Sequence, residues 1–493
     1  MSGDTSEDAE TVVRRERFAG GPARSFMSSL DADTRIFAAD LAVDRAHTVM
    51  LAEQGIVGGD DAAAILDALD SVEDAGHDSL PDGEDVHEAI ESAVVAEVGP
   101  AGGKMHTARS RNDEVATCIR YRFRQDLLDA AEATLDLRAA LLDAAAAETE
   151  TVVPGFTHRQ HAQPTTVAHL LASYAGAVAR DTERLLAAFE RTNRSPLGSA
   201  AFAGTTFDVD RERTADLLGF HEVVENAADA VTARDFLIEG CSAFAALSAT
   251  LSGLATDLIE AAKDGHVDID DAYASTSSIM PQKKNPDSLE LVRAVAGDAV
   301  SDLTGLLTTL KGLPRAYNRD LQRATPHAWD AVDIVTEATE VTAGAVATAE
   351  WDAEACAADA GKGFSTATGV ADALAAAGLP FRTAHELVAE AAMEIDDGAS
   401  VDDQIEALVA AADAVLDDPL STYVDEETLV ELLSPAGSVA ARDSRGGPAA
   451  SAVEDSLTRL QATHADHAAA VDAHRDGLAA AEDRLAAEVS EYV

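Results

Sequence analysis

Five segments in the middle of the chain are much longer than ordinary helices and are interrupted only at proline or glycine. They run over about 112–149, 164–193, 228–264, 285–312 and 325–349. Alanine and leucine dominate them, and β-branched residues do not alternate, so the pattern predicts helices and almost no strand. A helix of about 37 residues spans about 55 Å, and it can bury an apolar stripe only beside other helices. The sequence therefore predicts an all-α fold built on a central bundle of five long helices.

The flanking regions contain shorter helical runs, broken by pairs such as Gly58-Gly59 and by Gly378-Leu379-Pro380. A chain of 493 residues also exceeds the usual size of one hydrophobic core. We expect an N-terminal helical domain at 1–106, the bundle at 107–362, and a small C-terminal helical domain at 363–493. Apolar stripes of the bundle are carried by Leu185, Leu186, Phe189, Leu237, Phe244, Leu247, Leu251, Leu254 and Leu258. Further apolar positions would stay exposed on a monomer, so we expect the bundle to associate.

The charge of the chain excludes several classes of partner. The formal net charge is −53, with six lysines among 36 basic residues. Nucleic acids and anionic membranes would be repelled, so neither is an expected partner. No stretch approaches 18 apolar residues and the first 25 residues contain no apolar run, which predicts a cytoplasmic protein. The three cysteines are too scattered for a zinc site or a disulfide framework, so no metal is expected.

Basic residues concentrate in the polar loops between the long helices, although the chain is acidic. Residues 104–124 have a local net charge of +4, and residues 311–323 have a local net charge of +3. Ion pairs at helix crossings are the alternative explanation, and we favour it for Arg120, Arg122 and Arg124. The recurrence of basic groups in the loops favours an anion-binding cleft that attracts a carboxylate or phosphate.

The loop at 273–286 carries the clearest chemical signal. Lys283 and Asn285 stand where the fourth helix is expected to begin, with its unpaired N–H groups and the positive end of its dipole. Hydroxyl groups at 275–278 precede them, and this layout suits a lid that closes over an anion. In the loop at 155–166, His158 follows Pro154-Gly155 and is expected to face the same cleft.

Several motifs resemble one known family. STSSIMPQKKNP (275–286) resembles the signature loop of the fumarase/aspartase superfamily. HTARSRND (106–113), GFTHRQHAQPTT (155–166), PLGSAAFAGTTF (196–207) and LPRAYNRDLQ (313–322) together resemble the argininosuccinate lyases. The acidic, lysine-poor composition leads us to expect that the host is a halophilic archaeon with a salt-rich cytosol.

The resemblance implies a fold, an assembly and a reaction. It implies a homotetramer whose active sites are shared between subunits, acting on a small molecule without metal or organic cofactor. The reaction would be the reversible anti β-elimination of argininosuccinate to arginine and fumarate, the last step of arginine biosynthesis. The alternatives are another lyase of the superfamily, such as fumarase or adenylosuccinate lyase, and a non-catalytic crystallin-like structural protein.

The resemblance also implies roles for individual residues. Ser277 is the base, Lys283 and Asn285 hold the carboxylate that gains charge, and His158 with Glu290 serves the departing nitrogen. The remaining residues that it places in substrate binding are Ser29, Asp33, Arg111, Asn112, Thr157, Tyr317 and Gln322. One departure is Thr325, which stands where many relatives present a lysine to a substrate carboxylate.

We predict that the folded state loosens at low salt, because the acidic residues then repel one another without screening. Thermal unfolding in multi-molar KCl should give a higher midpoint than unfolding in dilute buffer. Equal midpoints in the two solutions would contradict the prediction.

Overall fold

A computed structural model describes residues 22–396 and 398–493. Four helices precede the long central ones. α2 carries a nearly continuous buried face, and Asp85 caps α4 by accepting a hydrogen bond from the Glu88 N–H at 2.8 Å. The four helices are α1 (Pro22–Met27), α2 (Phe37–Glu53), α3 (Gly59–Ala75) and α4 (Val86–Val98).

The central helices include the five long ones that the sequence predicts. Ser110 begins α5 with a capping box, in which its hydroxyl accepts from Asn112 N–H and its own N–H donates to Asp113. Gly265, in the left-handed conformation, follows the last residue of α9. The helices are α5 (Arg111–Ala147), α6 (Val167–Thr192), α7 (Arg211–Leu217), α8 (Ala227–Thr232), α9 (Asp235–Asp264), α10 (Asp287–Leu310) and α11 (Leu321–Ala347).

Seven more helices complete the chain, and the last of them is the longest. They are α12 (Ala353–Ala360), α13 (Ala367–Ala376), α14 (Phe381–Glu394), α15 (Val401–Val415), α16 (Glu426–Leu433), α17 (Pro435–Ala440) and α18 (Ala450–Ser490). Buried apolar residues between 364 and 433 form a cluster of their own. Helix α18 lies outside it and packs along α5 and α6. The division into three domains with boundaries at 106 and 362 stays a prediction.

The strands are short and occur in four two-stranded pairs: β1 with β2, β3 with β4, β5 with β8, and β6 with β7. Within residues 22–396 and 398–493, only β1 and β2 exceed two residues, so the predicted all-α class is confirmed. The strands are β1 (Val152–Thr157), β2 (Gln160–Thr166), β3 (Arg194–Ser195), β4 (Glu222–Val223), β5 (Val267–Asp268), β6 (Ser275–Thr276), β7 (Lys284–Asn285) and β8 (Glu350–Trp351).

Three local expectations about helix starts were wrong. Pro164, expected in the first turn of the second long helix, lies in β2 opposite Pro154, and α6 begins only after Thr166 caps it. Asn285, expected to cap the fourth helix, pairs with Ser275 in a strand, and α10 begins at Asp287. Pro326, expected to open the fifth helix, lies inside α11, which already begins at Leu321. In the first two cases, pairing with another strand outweighed the local helix signal.

The five long helices share one core, and the predicted apolar stripes face it. Leu185, Phe189, Phe244 and Leu251 are all at most 1% exposed. The Phe123 ring of α5 lies against Gly240 of α9. A Cβ atom at Gly240 would lie 2.4 Å from Cζ of Phe123, so any larger residue would displace that ring.

The bundle has two ends with different contents. Helices α5, α9 and α11 begin at the end that we call the cavity end, where Phe123, Phe236 and Trp329 are in ring contact. Helices α6 and α10 begin at the opposite end, which we call the lid end. The strand pairs β1–β2, β5–β8 and β6–β7 follow the last turns of α5, α9 and α11 and lie at this lid end.

Helix α9 is the one helix in the described part of the chain that is long and apolar enough to span a membrane. Its apolar residues, including Leu237, Leu247 and Leu258, are buried in the bundle core. It is therefore placed as a core helix.

His47 of α2 gives the fold a predictable response to acid. The side chain is fully buried, and its Nε2 lies 2.8 Å from the carbonyl oxygen of Thr107. Burial, followed by the nearby charge of Arg109, lowers the pKa of His47 from 6.5 to about 3. The unfolded chain therefore takes up a proton below pH 6.5 that the folded chain does not accept, so stability is lost as pH falls from 6.5 towards 3.

We predict that His47→Gln flattens this acid dependence, because glutamine can donate to Thr107 without titrating. For the original chain, unfolding free energy should fall by up to about 1.4 kcal/mol per pH unit below pH 6.5 from this residue alone. The measurement is denaturant unfolding between pH 7 and pH 5 in concentrated KCl. His385→Gln, at an exposed histidine, is the control. The same slope in His47→Gln as in the original chain would contradict the assignment.

Candidate active site

A cavity of about 290 Å³ lies at the cavity end of the bundle. It is enclosed by the loop before α2, the start of α4, and the first turns of α5 and α11. Six of the twelve predicted site residues line it, namely Ser29, Asp33, Arg111, Asn112, Tyr317 and Gln322. These residues come from three separate parts of the sequence, and folding brings them together.

The loop that carries Ser29 and Asp33 is held against the start of α4. The Ser29 hydroxyl donates to Asp33 Oδ2 at 2.8 Å, and the Val86 N–H donates to the same oxygen at 3.2 Å. The Ser29 N–H donates to the Glu84 carbonyl oxygen at 2.8 Å. Burial is the main influence on Asp33 and raises the pKa of its carboxyl group. The loop thus presents the Asp33 carboxylate, a hydrogen-bond acceptor, to a partly desolvated part of the cavity.

The helix starts supply the other walls. Arg111 Nη1 donates to Asp85 Oδ2 at 3.4 Å, and Asn112 Nδ2 donates to the Ala201 carbonyl oxygen at 2.9 Å. Gln322 Nε2 donates to the Met27 carbonyl oxygen at 3.1 Å, which joins α11 to the N-terminal loop. These contacts fix the polar groups of the cavity before any ligand is present.

Asp113 joins the loop at 106–113 to the loop at 196–207. Its Oδ2 accepts from the N–H groups of Gly198 and Ala200 at 3.0 and 2.8 Å, while Oδ1 accepts from Ser110 at 3.0 Å. Burial raises the pKa of Asp113 to about 6, although these backbone donors act in the opposite direction. Asp113 is thus a positioning residue for Arg111 and Asn112.

A buried charge cluster supports the cavity from below. Arg109 contacts Asp44 at 2.5 Å and Glu114 at 2.8 Å, and His87 Nδ1 lies 2.8 Å from Asp40. Burial alone would lower the pKa of His87, but the carboxylates of Asp40 and Glu114 outweigh it and raise the pKa to about 10. His87 is therefore an imidazolium that lines the cavity wall.

Two sets of these buried side chains are close enough to share a metal ion. They are Asp40 with His87 and Cys118, and Asp40 with Asp44 and Glu114. The Arg109 guanidinium and the His87 imidazolium already lie against the same carboxylates. A cation between them would be repelled at close range, so the donor set does not fit a metal.

Ser277, Lys283 and Asn285 lie together at the lid end. The Ser277 N–H donates to the Lys283 carbonyl oxygen at 3.0 Å, and the pair β6–β7 closes the base of this lid loop. The Ser277 Oγ accepts from the N–H groups of Ile279 and Met280 at 3.3 and 3.0 Å. Backbone dipoles therefore point at the hydroxyl oxygen, as activation of a serine requires.

The lid is tied to the end of the bundle by Lys284. Its Nζ lies 2.9 Å from Asp271 and 3.1 Å from Asp268. Glu290, one turn into α10, is exposed and lines a second cavity of about 740 Å³ together with Lys283 and Asn285.

Thr157 and His158 lie at the exposed tip of the β1–β2 hairpin, which the sequence suggested only as a loop. His158 and Arg159 form its two-residue turn, with φ angles of 54° and 61°. Residues other than glycine rarely adopt this left-handed conformation. Arg159 forms an ion pair with Glu260 on α9. Among the described residues, no bond joins His158 to Glu290 or Ser277 within one chain.

The predicted site residues thus fall into two groups at opposite ends of the molecule. Helix α5 begins beside the cavity and is followed by the hairpin, and its 37 residues span about 55 Å. The lid, Glu290 and His158 are therefore far from the cavity of their own chain. Sequence reasoning also missed Glu84, Asp85, His87, Arg234 and Arg319, which line the cavity. Arg319 belonged to a recognised basic segment, whereas Arg234 had no local signal.

Comparison with known proteins identifies the family. The family model described as Lyase matches residues 24–301, and that described as Argininosuccinate lyase C-terminal matches residues 364–440. The argininosuccinate lyase of Haloarcula marismortui is 64% identical over 485 residues, covering 98% of this chain and 97% of the relative. The chain belongs to the argininosuccinate lyase family.

Other members and more distant structures agree with this placement. The family member from Halobacterium salinarum is 65% identical over 484 residues, covering 98% of this chain and 99% of the relative. A crystal structure of EDDS lyase in complex with formate has a TM-score of 0.85 and 32% identity, with 96% of each chain covered. A class II fumarase from Schistosoma mansoni, at 15% identity and a TM-score of 0.68 over 82% of this chain and 90% of its own, shares the fold.

These findings confirm the predicted resemblance, and both of these argininosuccinate lyases come from halophilic archaea. The chain is a lyase of the fumarase/aspartase superfamily acting on a carbon–nitrogen bond. The alternative family assignments, fumarase and adenylosuccinate lyase, are not supported by these relatives.

Proposed function

We propose that the chain catalyses the reversible anti β-elimination of argininosuccinate to arginine and fumarate, in the cytoplasm, as the last step of arginine biosynthesis. The observation that carries this proposal is identity of 64–65% with argininosuccinate lyases over nearly the whole chain. The charged cavity would hold the amino-acid part of the substrate, and the lid would supply the groups that the elimination requires.

In the proposed reaction, Ser277 Oγ takes the proton from the succinyl carbon next to a carboxylate. The electron pair of that C–H bond first resides on the carboxylate, which then carries a second negative charge. The Lys283 ammonium and the Asn285 amide would stabilise this charge, and each such preorganised donor is worth about 3 kcal/mol. The two N–H groups that Ser277 Oγ accepts from favour its alkoxide form.

In the second half, the electron pair forms the carbon–carbon double bond of fumarate and the carbon–nitrogen bond breaks. The departing guanidino nitrogen takes up a proton and leaves as arginine. We propose that His158, paired with Glu290 of another chain, either helps this protonation or orients that end of the substrate. Thr157 lies beside His158 at the same hairpin tip.

We further propose that each active site is assembled from different chains of a homotetramer. The cavity and the lid lie at opposite ends of one chain, so a complete site needs the lid end of a second copy. Helix α10 supports association, because only five of its 24 residues are buried in one chain. Leu291, Val300 and Leu307 on this helix are 67%, 52% and 45% exposed.

We predict that Ser277→Ala abolishes turnover but leaves substrate binding intact, because the proton acceptor is lost and the cavity is unchanged. The assay follows the ultraviolet absorbance of fumarate after argininosuccinate is added. The rate should fall by at least about a thousandfold. Ser278→Ala, at the adjacent exposed hydroxyl, is the matched control and should stay active.

A near-normal rate for Ser277→Ala would remove this serine from its assigned role. If the original chain forms no fumarate from argininosuccinate but forms it from malate, the result would favour fumarase. If no fumarate forms from either substrate, the result would favour a structural, crystallin-like role.

We predict that two inactive variants restore activity when they are combined in one tetramer. Co-assembly of Ser277→Ala with Asn112→Ala would leave some sites with an intact lid from one chain and an intact cavity from another. Random mixing should restore about a quarter of the original sites. The measurement is fumarate formation by differently tagged chains that are purified together.

The control for this experiment pairs Ser277→Ala with Lys283→Met. Both changes lie in the lid, so no chain in the mixture offers an intact lid. This mixture should stay inactive. Equal recovery in the two mixtures would show that the sites are not divided between chains in this way.

A further inference from the structure

Three arginines line the cavity, and two of them already have carboxylate partners. Arg111 lies 3.4 Å from Asp85 and 3.6 Å from Glu88. Arg319 forms an ion pair with Glu84 and also donates to the Met27 carbonyl oxygen at 3.3 Å. The positive charges of both groups are therefore balanced by the protein itself.

Arg234 differs from both. It stands just before α9, is 3% exposed, and lines the cavity. Its Nη1 donates to the Ala233 carbonyl oxygen at 2.9 Å, while its buried Nε has no hydrogen-bond partner among the described residues. No carboxylate of the described chain forms an ion pair with it. Burial lowers the pKa of Arg234 to about 10, with Tyr317 acting in the opposite direction, so the group is charged near neutral pH.

A buried charge without a partner is unfavourable, and it is expected only where a ligand supplies the opposite charge. The planar guanidinium fork matches a carboxylate in particular. Asp33, on the N-terminal loop of the same cavity, is bonded to Ser29 and Val86 and to no arginine. The cavity thus offers one anion and one cation that are not paired with each other, which is what an α-amino-acid group requires.

We propose that Arg234 binds the α-carboxylate of the arginine part of the substrate, and of the product arginine, inside the cavity. This assignment rests on the proposed function and adds a residue to it. In this assignment, Lys283 and Asn285 of the lid bind the succinyl carboxylates. Thr325, which also lines the cavity, is neutral and supplies no cation there.

The test compares the binding of L-arginine with that of agmatine, which is arginine without its α-carboxylate. Isothermal titration of the whole enzyme in concentrated KCl should show that arginine binds at least about tenfold more tightly than agmatine. Arg234→Gln should lose at least about tenfold in arginine affinity and leave agmatine affinity unchanged.

Arg138→Gln is the matched control. Arg138 is also a fully buried arginine, but it is bonded to His467 outside the cavity. This change should alter stability and leave the ratio of arginine to agmatine affinity as it is. If Arg234→Gln does not fold, Arg234→Lys replaces it, because the charge is kept while the paired N–H fork is lost. It should bind arginine several-fold more weakly, with agmatine unaffected.

Equal affinity of the original chain for the two ligands, or no binding of either, would overturn the proposal. An equal loss of affinity for arginine and for agmatine in the Arg234 variants would likewise show that Arg234 has only a structural role. The outcome is separable from that of the proposed function. The fumarate assay of the original chain tests the reaction, whereas this titration tests only where the carboxylate is bound.

Discussion

The length of the central helices is the constraint on which the rest of the molecule depends. A helix rises by a fixed distance per residue, so the groups at the two ends of α5 are held about 55 Å apart. One end of the bundle carries the charged cavity, and the other carries the lid and the hairpin. A single chain therefore contains both the cavity and the lid but cannot bring them together. The assembly proposed above follows from rigid helices more than from any property of the loops.

Buried charge is the second organising feature. Arg109 and His87 are buried and each contacts carboxylates; His87 lines the cavity, and Arg109 lies beside it. Breaking one member of such a network leaves another charge without compensation, which costs several kcal/mol. The network therefore restricts the loop at 106–113 to one arrangement. Asp113 then transmits that arrangement to the loop at 196–207 through two backbone N–H groups.

Much of this architecture could be predicted from the sequence, because long helices leave a strong periodic signal. The stripe from Leu237 to Leu258 and the closeness of Ser277 to Lys283 needed only local reasoning. The hairpin was missed because His158 and Arg159 form its turn, whereas two-residue turns usually contain glycine or asparagine. Asn285 misled the prediction of a helix start because its pairing with Ser275 outweighed its local preference, and Pro326 misled it because α11 already begins at Leu321. Arg234 was missed because its surroundings consist of residues far away in the sequence.

The turn at His158 and Arg159 has one more consequence. A left-handed backbone is costly for such residues, and that cost is incurred while each chain folds, since the hairpin is complete within one subunit. The backbone of the turn thus fixes the direction in which the Cα–Cβ bond of His158 leaves the hairpin. In the tetramer proposed above, this turn would therefore dock without a change of backbone conformation, and no backbone ordering would have to be offset by the new contact.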